Sequence, residues 1–265
     1  EEIIGQALPI AGVAGDQHAA VFGQACFEKG MVKSTYGTGC FALVNIGSEF
    51  VTSKNRLLTT PAYRLAGDVT YALEGSIFVA GAAIQWLRDN LHIVEAAAET
   101  ENLAHSVLDN NGVYFVPAFT GLGAPHWKPD AQGAIFGLTR ESTFAHIARA
   151  ALEAQAYQSH DLFSAMAADT GHMPEIIRAD GGLVANGFMC QFLADILDIP
   201  VEIPRVPETT ALGAACLAGL QSGLYHHLDE ISKLWESDRE YKPDMASDTR
   251  THLVNGWQDA IGRLV

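Results

Sequence analysis

Residues 31–46 read MVKSTYGTGCFALVNI. Two runs rich in apolar and strand-forming residues, Met31–Tyr36 and Phe41–Ile46, flank Gly37-Thr38-Gly39. The pattern predicts consecutive antiparallel strands joined by a tight glycine bend. Such a bend has a second use. Glycines let backbone N–H groups approach an anion, and the Thr38 hydroxyl can add one bond to a phosphate oxygen. From these residues alone, a plain hairpin turn and a phosphate cradle are both open.

Upstream, Leu8–Val13 is apolar and reads as a core strand that stops at Gly15-Asp16. Gln17–Phe27 is helix-compatible, with Ala19, Ala20, Val21 and Phe22 as a packing face and Gly30 as its C-cap. Asp16 stands between strand and helix. Such a carboxylate either caps the helix, taking an orphan N–H, or serves as a general base toward a bound hydroxyl.

Downstream, strands are predicted at Leu57–Arg64 and Val69–Leu73, turning at Gly67-Asp68, then helices at Val79–Leu91 and Val94–Leu108. A short strand covers 113–117. Residues 119–138 carry too much Gly and Pro for a helix and read as an elaborated loop or hairpin. Thr143–Ala168 is the longest helix, with Phe144, Ile147, Ala148, Ala151 and Leu152 on one face. A strand at Ile176–Asp180 runs into Gly181-Gly182 and a helix from about Asn186. A strand at Pro200–Ile203 and a small-residue helix at Thr209–Leu220 follow, and no element is assigned beyond Leu220. This order describes an α/β fold, a mixed sheet with helices on its faces, where ligands sit beyond the strand ends. Gly181-Gly182 at a helix start is a second candidate phosphate bend. Neither a P-loop nor a G-x-G-x-x-G fingerprint occurs.

The 265 residues suit one large domain or two small ones, and the formal charge of −15 argues against nucleic acid and anionic membrane surfaces. Cys26, Cys40, Cys190 and Cys216 are irregularly spaced, which favours reduced thiols over a disulfide framework or zinc site. No apolar run approaches the ~20 residues of a membrane helix. The expectation is a cytoplasmic protein. The chain opens on Glu1 and runs almost at once into its first apolar segment, which reads as part of something longer.

Five blocks in order carry a resemblance: GVAGDQHAAVFGQACFEKGMVKSTYGTGCF, ALEGSIFVAGAAIQWLRDNL, VYFVPAFTGLGAPHWKPDAQGAIFGLTR, ADGGLVANGFMCQFLADIL and ETTALGAACLAGL. Together they closely resemble the C-terminal half of the glycerol kinases, within the FGGY carbohydrate kinases, from about Pro9 to about Leu220. The resemblance implies a ribonuclease H-like, actin-like ATPase domain that transfers phosphate from ATP, with Mg²⁺, to glycerol. It gives Asp16 as the catalytic base, Gln17 as a glycerol contact and Phe41 as the ring against its carbon face. Thr38 and Gly39 would approach the γ-phosphate, Gly81 and Gln85 would line the nucleotide cleft, Gly182 would contact phosphate and Asn186 adenine. It leaves the residues that hold Mg²⁺ unassigned.

The resemblance also implies partners: glycerol, ATP or ADP, the protein's own N-terminal domain, and further copies in a homo-oligomer. In the family an Arg-Glu pair and aromatic groups from the N-terminal half hold glycerol, so this chain alone is expected to turn over poorly. The segment matching a regulatory sugar-bisphosphate loop reads Gly5-Gln6-Ala7, without the Arg that loop uses. Two other readings share these residues: a different FGGY polyol or pentulose kinase, and an actin-like nucleotide-binding module without transfer activity.

Overall fold

The structure, a computed structural model, describes residue 5 and residues 7–264. In chain order the first half contains α1 (Asp16–Gly23), β1 (Val32–Tyr36), β2 (Cys40–Gly47), β3 (Leu58–Leu65), β4 (Asp68–Ile77), α2 (Gly81–Asp89), α3 (Glu99–His105), β5 (Tyr114–Val116) and β6 (Ala134–Phe136). The second half contains α4 (Phe144–Thr170), β7 (Ile177–Asp180), α5 (Gly187–Leu197), β8 (Val201–Pro204), α6 (Thr209–Ser222), α7 (Leu228–Ser232), β9 (Ser237–Tyr241) and α8 (Ser247–Gly262). Seven strands form one mixed sheet in the order β3-β4-β2-β1-β7-β8-β9, while β5 and β6 make a separate hairpin. β1 runs antiparallel to β2 and parallel to β7, which is parallel to β8.

The alternation of side chains along β1 sorts the helices. Val32, Ser34 and Tyr36 point to one face, where the Tyr36 hydroxyl meets Ser159 of α4 at 2.8 Å. Lys33 and Thr35 point to the other, which α1 covers, with α6 packed against α1. α4 carries the larger core: Leu152, Tyr157, Leu162 and Phe163 are buried with Phe115, Leu193 and Trp257. Its N-cap is Thr143 in a capping box with His146, and Gly171 closes it in the left-handed conformation at φ 90°.

Three expectations from sequence are corrected. Leu8–Val13 is not a strand: no ladder pairs it, Leu8, Ile10 and Val13 are exposed, and Gly12 lies against α6 instead, where a Cβ would stand 2.7 Å from the Ala218 nitrogen. Apolar letters without a sheet edge to pair cannot form a strand. Gly30 does not cap α1, which ends at Gly23; its N–H donates to the Asn45 carbonyl at 2.8 Å in the turn entering β1. The predicted helix at Val94–Leu108 shrinks to α3, because the Glu99 side chain turns back to accept the Glu95 N–H at 3.1 Å and residues 95–98 stay exposed. α7, β9 and α8 are additional elements beyond Leu220. Of Gly5-Gln6-Ala7, Gln6 lies outside the described residues.

Asp161, on α4, ties two distant parts of the chain together. Its buried carboxylate faces His126 Nε2 at 2.9 Å and accepts from Trp257 Nε1 at 2.8 Å and Gln258 Nε2 at 2.6 Å. Burial pushes its carboxyl up, but hydrogen bonds from His126, His160 and Trp257 outweigh that and hold it below the usual carboxylate range. A depressed carboxyl contributes stability that is present above its unfolded pKa, about 4, and is lost as pH falls through the lower folded value. Asp161→Asn is therefore expected to lower the melting temperature at neutral pH. The gap to the parent protein should close as pH drops below about 4. Thermal melts across pH 3–7 check this, and a gap independent of pH would refute it.

Candidate active site

β1 and β7 run parallel, with Thr35 beside Asp180, so the bends that follow them leave the same edge of the sheet side by side. Gly181 sits so close to β1 that a Cβ would stand 2.4 Å from the Tyr36 carbonyl oxygen. Its φ of 96° and ψ of 171° belong to a region open essentially to glycine alone. A Cβ on neighbouring Gly182 would meet nothing within 4 Å, leaving its backbone open to a ligand.

The Gly37-Thr38-Gly39 bend is braced by α2. Gly37 and Thr38 carbonyls accept the Gly81 N–H at 2.9 Å and the Ala80 N–H at 2.8 Å. A Cβ on Gly81 would lie 2.6 Å from the Gly37 oxygen, and one on Gly39 2.6 Å from the Ile77 oxygen. These glycines permit backbone-on-backbone packing. The N–H of Gly37 is spent on the Gly39 carbonyl at 2.8 Å and that of Gly81 on Gly37, so neither is free for an anion. The bend is a tight turn, and the strand it follows runs beside the strand that leads into Gly181-Gly182.

Asp16 is not the cap of α1. Gly15 occupies that position with no side-chain bond, and Asp16 is the first helical residue, exposed, with Oδ1 accepting the Gln17 N–H at 2.8 Å. The capping alternative is corrected for a geometric reason: a side chain inside the first turn is past the cap position. Gln17 is drawn toward the sheet by Lys33, whose Nζ donates to Gln17 Oε1 and, at 3.2 Å, to the Phe41 carbonyl. Phe41 is 37% exposed and so available to a ligand. Gln85 is exposed on α2, one turn beyond Gly81. Asn186 is buried as the cap of α5: Oδ1 accepts the Met189 N–H at 3.0 Å and Nδ2 donates to Thr100 Oγ1 at 3.3 Å. The structure therefore groups Gln17 with Phe41, and Thr38 with Gly39 and Gly81. It leaves the Asn186 amide engaged by Met189 of α5 and Thr100 of α3.

Sequence reading gave no site role to Lys33, Gln24 or Thr209, and took Asp180 only as part of the Asp180-Gly181-Gly182 bend. Lys33 is fully buried, and burial pushes its ammonium below the usual value against the opposing pull of Asp180. Asp180 itself accepts from Gln24 Nε2 and Thr209 Oγ1, both at 2.6 Å, locking the second bend to α1 and α6. Asp180→Ala is expected to cost about 2–4 kcal/mol, because two buried donors lose their acceptor; chemical denaturation measures it. The single hint in the sequence was a lysine at an inward-facing strand position.

A cavity of about 480 Å³ opens at this strand edge, lined among others by Thr35, Gly181, Gly182, Arg205 and Thr209. The enclosed Thr35 Oγ1 finds no partner among the described residues. An orphaned hydroxyl and a bare glycine backbone suit a phosphate-bearing ligand, while Arg205 is paired with Glu236 at 2.6 Å and Asp180, Glu208 and Asp238 also line the cavity. Among the described residues no three His, Cys, Asp or Glu side chains cluster to hold a metal. The four cysteines are buried and unpaired, Cys26 pushed up to about 12 and Cys40 to about 11 by burial, so none is a poised nucleophile.

Residues 32–222 match the C-terminal domain of the FGGY family of carbohydrate kinases. The chain belongs to the FGGY family of carbohydrate kinases. Among its FGGY relatives, the glycerol kinase of Nitrosomonas eutropha is 60% identical over 263 residues, covering 99% of this chain and 53% of that protein. The glycerol kinase of Rhodospirillum rubrum is 60% identical over 262 residues, covering 99% and 53%. The chain spans about half the length of the curated relatives it matches. The crystal structure of Plasmodium falciparum glycerol kinase with ADP superimposes with a TM-score of 0.89 at 38% identity, over 95% of this chain and 50% of that one. A xylulose kinase from Lactobacillus acidophilus reaches 0.85 at 24% identity, over 95% and 51%, a likeness of fold. The actin-like ATPase fold expected from sequence is thus the fold found.

Proposed function

We propose that residues 1–265 are the C-terminal nucleotide-binding domain of a glycerol kinase, supplying the ATP site and the catalytic base for making glycerol 3-phosphate. One observation carries this reading: two glycine bends leave one sheet edge side by side, and Lys33 tethers the Asp16-Gln17 helix start to the Phe41 backbone just beyond the first bend. The glycerol kinase relatives favour glycerol as the alcohol.

Bound ATP supplies the transferable phosphoryl group. Gly182 and Thr38 would hold phosphate oxygens, with the Thr35 hydroxyl as a further donor. Exposed Asp16 would accept the proton of the attacking hydroxyl, and Phe41 would pack against the carbon chain. Little covalent work falls to the protein; alignment and charge neutralisation dominate. Mg²⁺ fits here only as an ion held mostly by phosphate oxygens and water; Asp180, which lines the same cavity, is already bonded to Gln24 and Thr209. Contact of Asn186 with adenine requires its Nδ2 to be shared with, or released from, Thr100.

The remaining glycerol contacts fall to the protein's own N-terminal domain, and association into a homo-oligomer belongs to the whole protein. No described helix is long and apolar enough to cross a membrane.

The test is ADP release by the full-length protein with glycerol and, separately, xylulose. Glycerol-dependent release is expected. Preference for xylulose would replace the substrate, and nucleotide binding without transfer to either alcohol would favour a non-catalytic module.

A further inference from the structure

Lys33 is the least expected side chain in the sheet. Its exposure is 0%, yet among the described residues its ammonium meets no carboxylate at ion-pair distance; its two hydrogen bonds go to neutral oxygens, Gln17 Oε1 and the Phe41 carbonyl. A buried charge held only by neutral groups costs folding free energy, and an apolar side chain of similar size would serve the core better. Local rules broken without a structural gain point to function.

The two oxygens identify that function. An ammonium has three donors and no acceptor, so the Gln17 atom facing it must be the carbonyl oxygen. The amide is thereby set in one of its two orientations, and Nε2 is directed away from the sheet. Nε2 meets no protein acceptor among the described residues and is not among the enclosed, unpartnered atoms. The other oxygen belongs to Phe41, so one cation spans both substrate-side positions, and the Gln17 backbone in turn holds Asp16 Oδ1 at 2.8 Å.

Resting on the kinase reading above, we infer that Lys33 is a positioning residue for the alcohol: it fixes the Gln17 amide as an outward N–H donor to a hydroxyl oxygen of the substrate. Lys33 does not touch the substrate. It selects for an uncharged polyol whose oxygen accepts, and it aligns Gln17, Phe41 and Asp16 as one unit.

The test uses the full-length protein and steady-state kinetics in both substrates. Lys33→Met should raise KM for glycerol about 10- to 100-fold, the worth of a charge-assisted bond. KM for ATP should stay constant and the melting temperature should not fall. Gln17→Ala should raise the glycerol KM comparably, and the double variant should be no worse than Gln17→Ala alone, since both changes remove one interaction. Gln17→Glu keeps the acceptor facing Lys33 but loses the outward donor. It should raise the glycerol KM without lowering the melting temperature, and it decides the matter should Lys33→Met not fold.

An unchanged glycerol KM in Lys33→Met or Gln17→Glu, with Gln17→Ala impaired, overturns the inference and leaves the kinase reading standing. A Gln17→Ala protein with unchanged glycerol KM removes Gln17 from the substrate site and overturns the inference, while loss of glycerol-dependent ADP release in the parent protein is what would overturn the kinase reading. A fall in melting temperature with both KM values shifted in Lys33→Met would mark a merely structural lysine.

Discussion

Asp16→Asn in the full-length protein is expected to lower kcat for glycerol phosphorylation by about 100- to 10,000-fold. The substitution is close to isosteric. Its Oδ1 can still accept the Gln17 N–H, which now stands at 2.8 Å, so the first turn of α1 should be unaltered. What disappears is the negative charge and the basic lone pair that takes the hydroxyl proton. Asp16 is exposed and bonded to nothing else among the described residues, so the melting temperature should match that of the parent protein. Nucleotide affinity should be preserved, since the phosphate bends do not depend on this side chain. Steady-state kinetics with a parallel thermal melt separate these effects. A variant that keeps its kcat would remove Asp16 from the base role, whatever the rest of the site does.

Gly213→Ala is the structural counterpart. α1 and α6 approach so closely that a Cβ on Gly213 would stand 1.7 Å from the Ala19 carbonyl oxygen, and one on Gly23 1.9 Å from the Thr209 carbonyl oxygen. Both obstacles are backbone, so no rotamer change relieves them and the helices must part. The expected cost is about 3 kcal/mol or more. For a domain of this size that is a fall of about 6–12 °C in melting temperature. Gly262→Ala is the matched control: its Cβ would meet nothing within 4 Å, and the change should be neutral or slightly stabilising. Because α1 carries Asp16 and Gln17, and α6 begins at Thr209 beside Asp180, the same change should also weaken catalysis. Equal melting temperatures for Gly213→Ala and the parent would contradict the close helix contact.

Much of the fold was legible because its signals are local. The long amphipathic run of α4 has the helical repeat of Phe144, Ile147, Ala148, Ala151 and Leu152, and Gly171 marks its end. The two bends were visible as glycines at strand ends. Leu8–Val13 was misread because apolar letters do not say whether a sheet edge is available; Gly12 finds α6 instead. Asp16 was ambiguous in sequence because capping and exposure differ by one residue of helix register. Asn186 shows the reverse limit: its motif position was clear, but not that both ends of its amide are already engaged by Met189 and Thr100.

The amino-acid sequence by itself determined the alternation of strands and helices, the glycine bends and the membership of an FGGY kinase domain. The first two follow from periodicity and backbone freedom, which act over a few residues; the family is carried by the resemblance of five long sequence blocks and by the match over residues 32–222. Only the tertiary structure decided that Asp180 joins Gln24 to Thr209, and that Lys33 is buried between Gln17 and Phe41. Those contacts depend on which strands pair, in the case of Gln24 and Asp180 across 156 residues, and on which face of the sheet a helix covers. Burial and pairing of charge are properties of that packing and have no local signature.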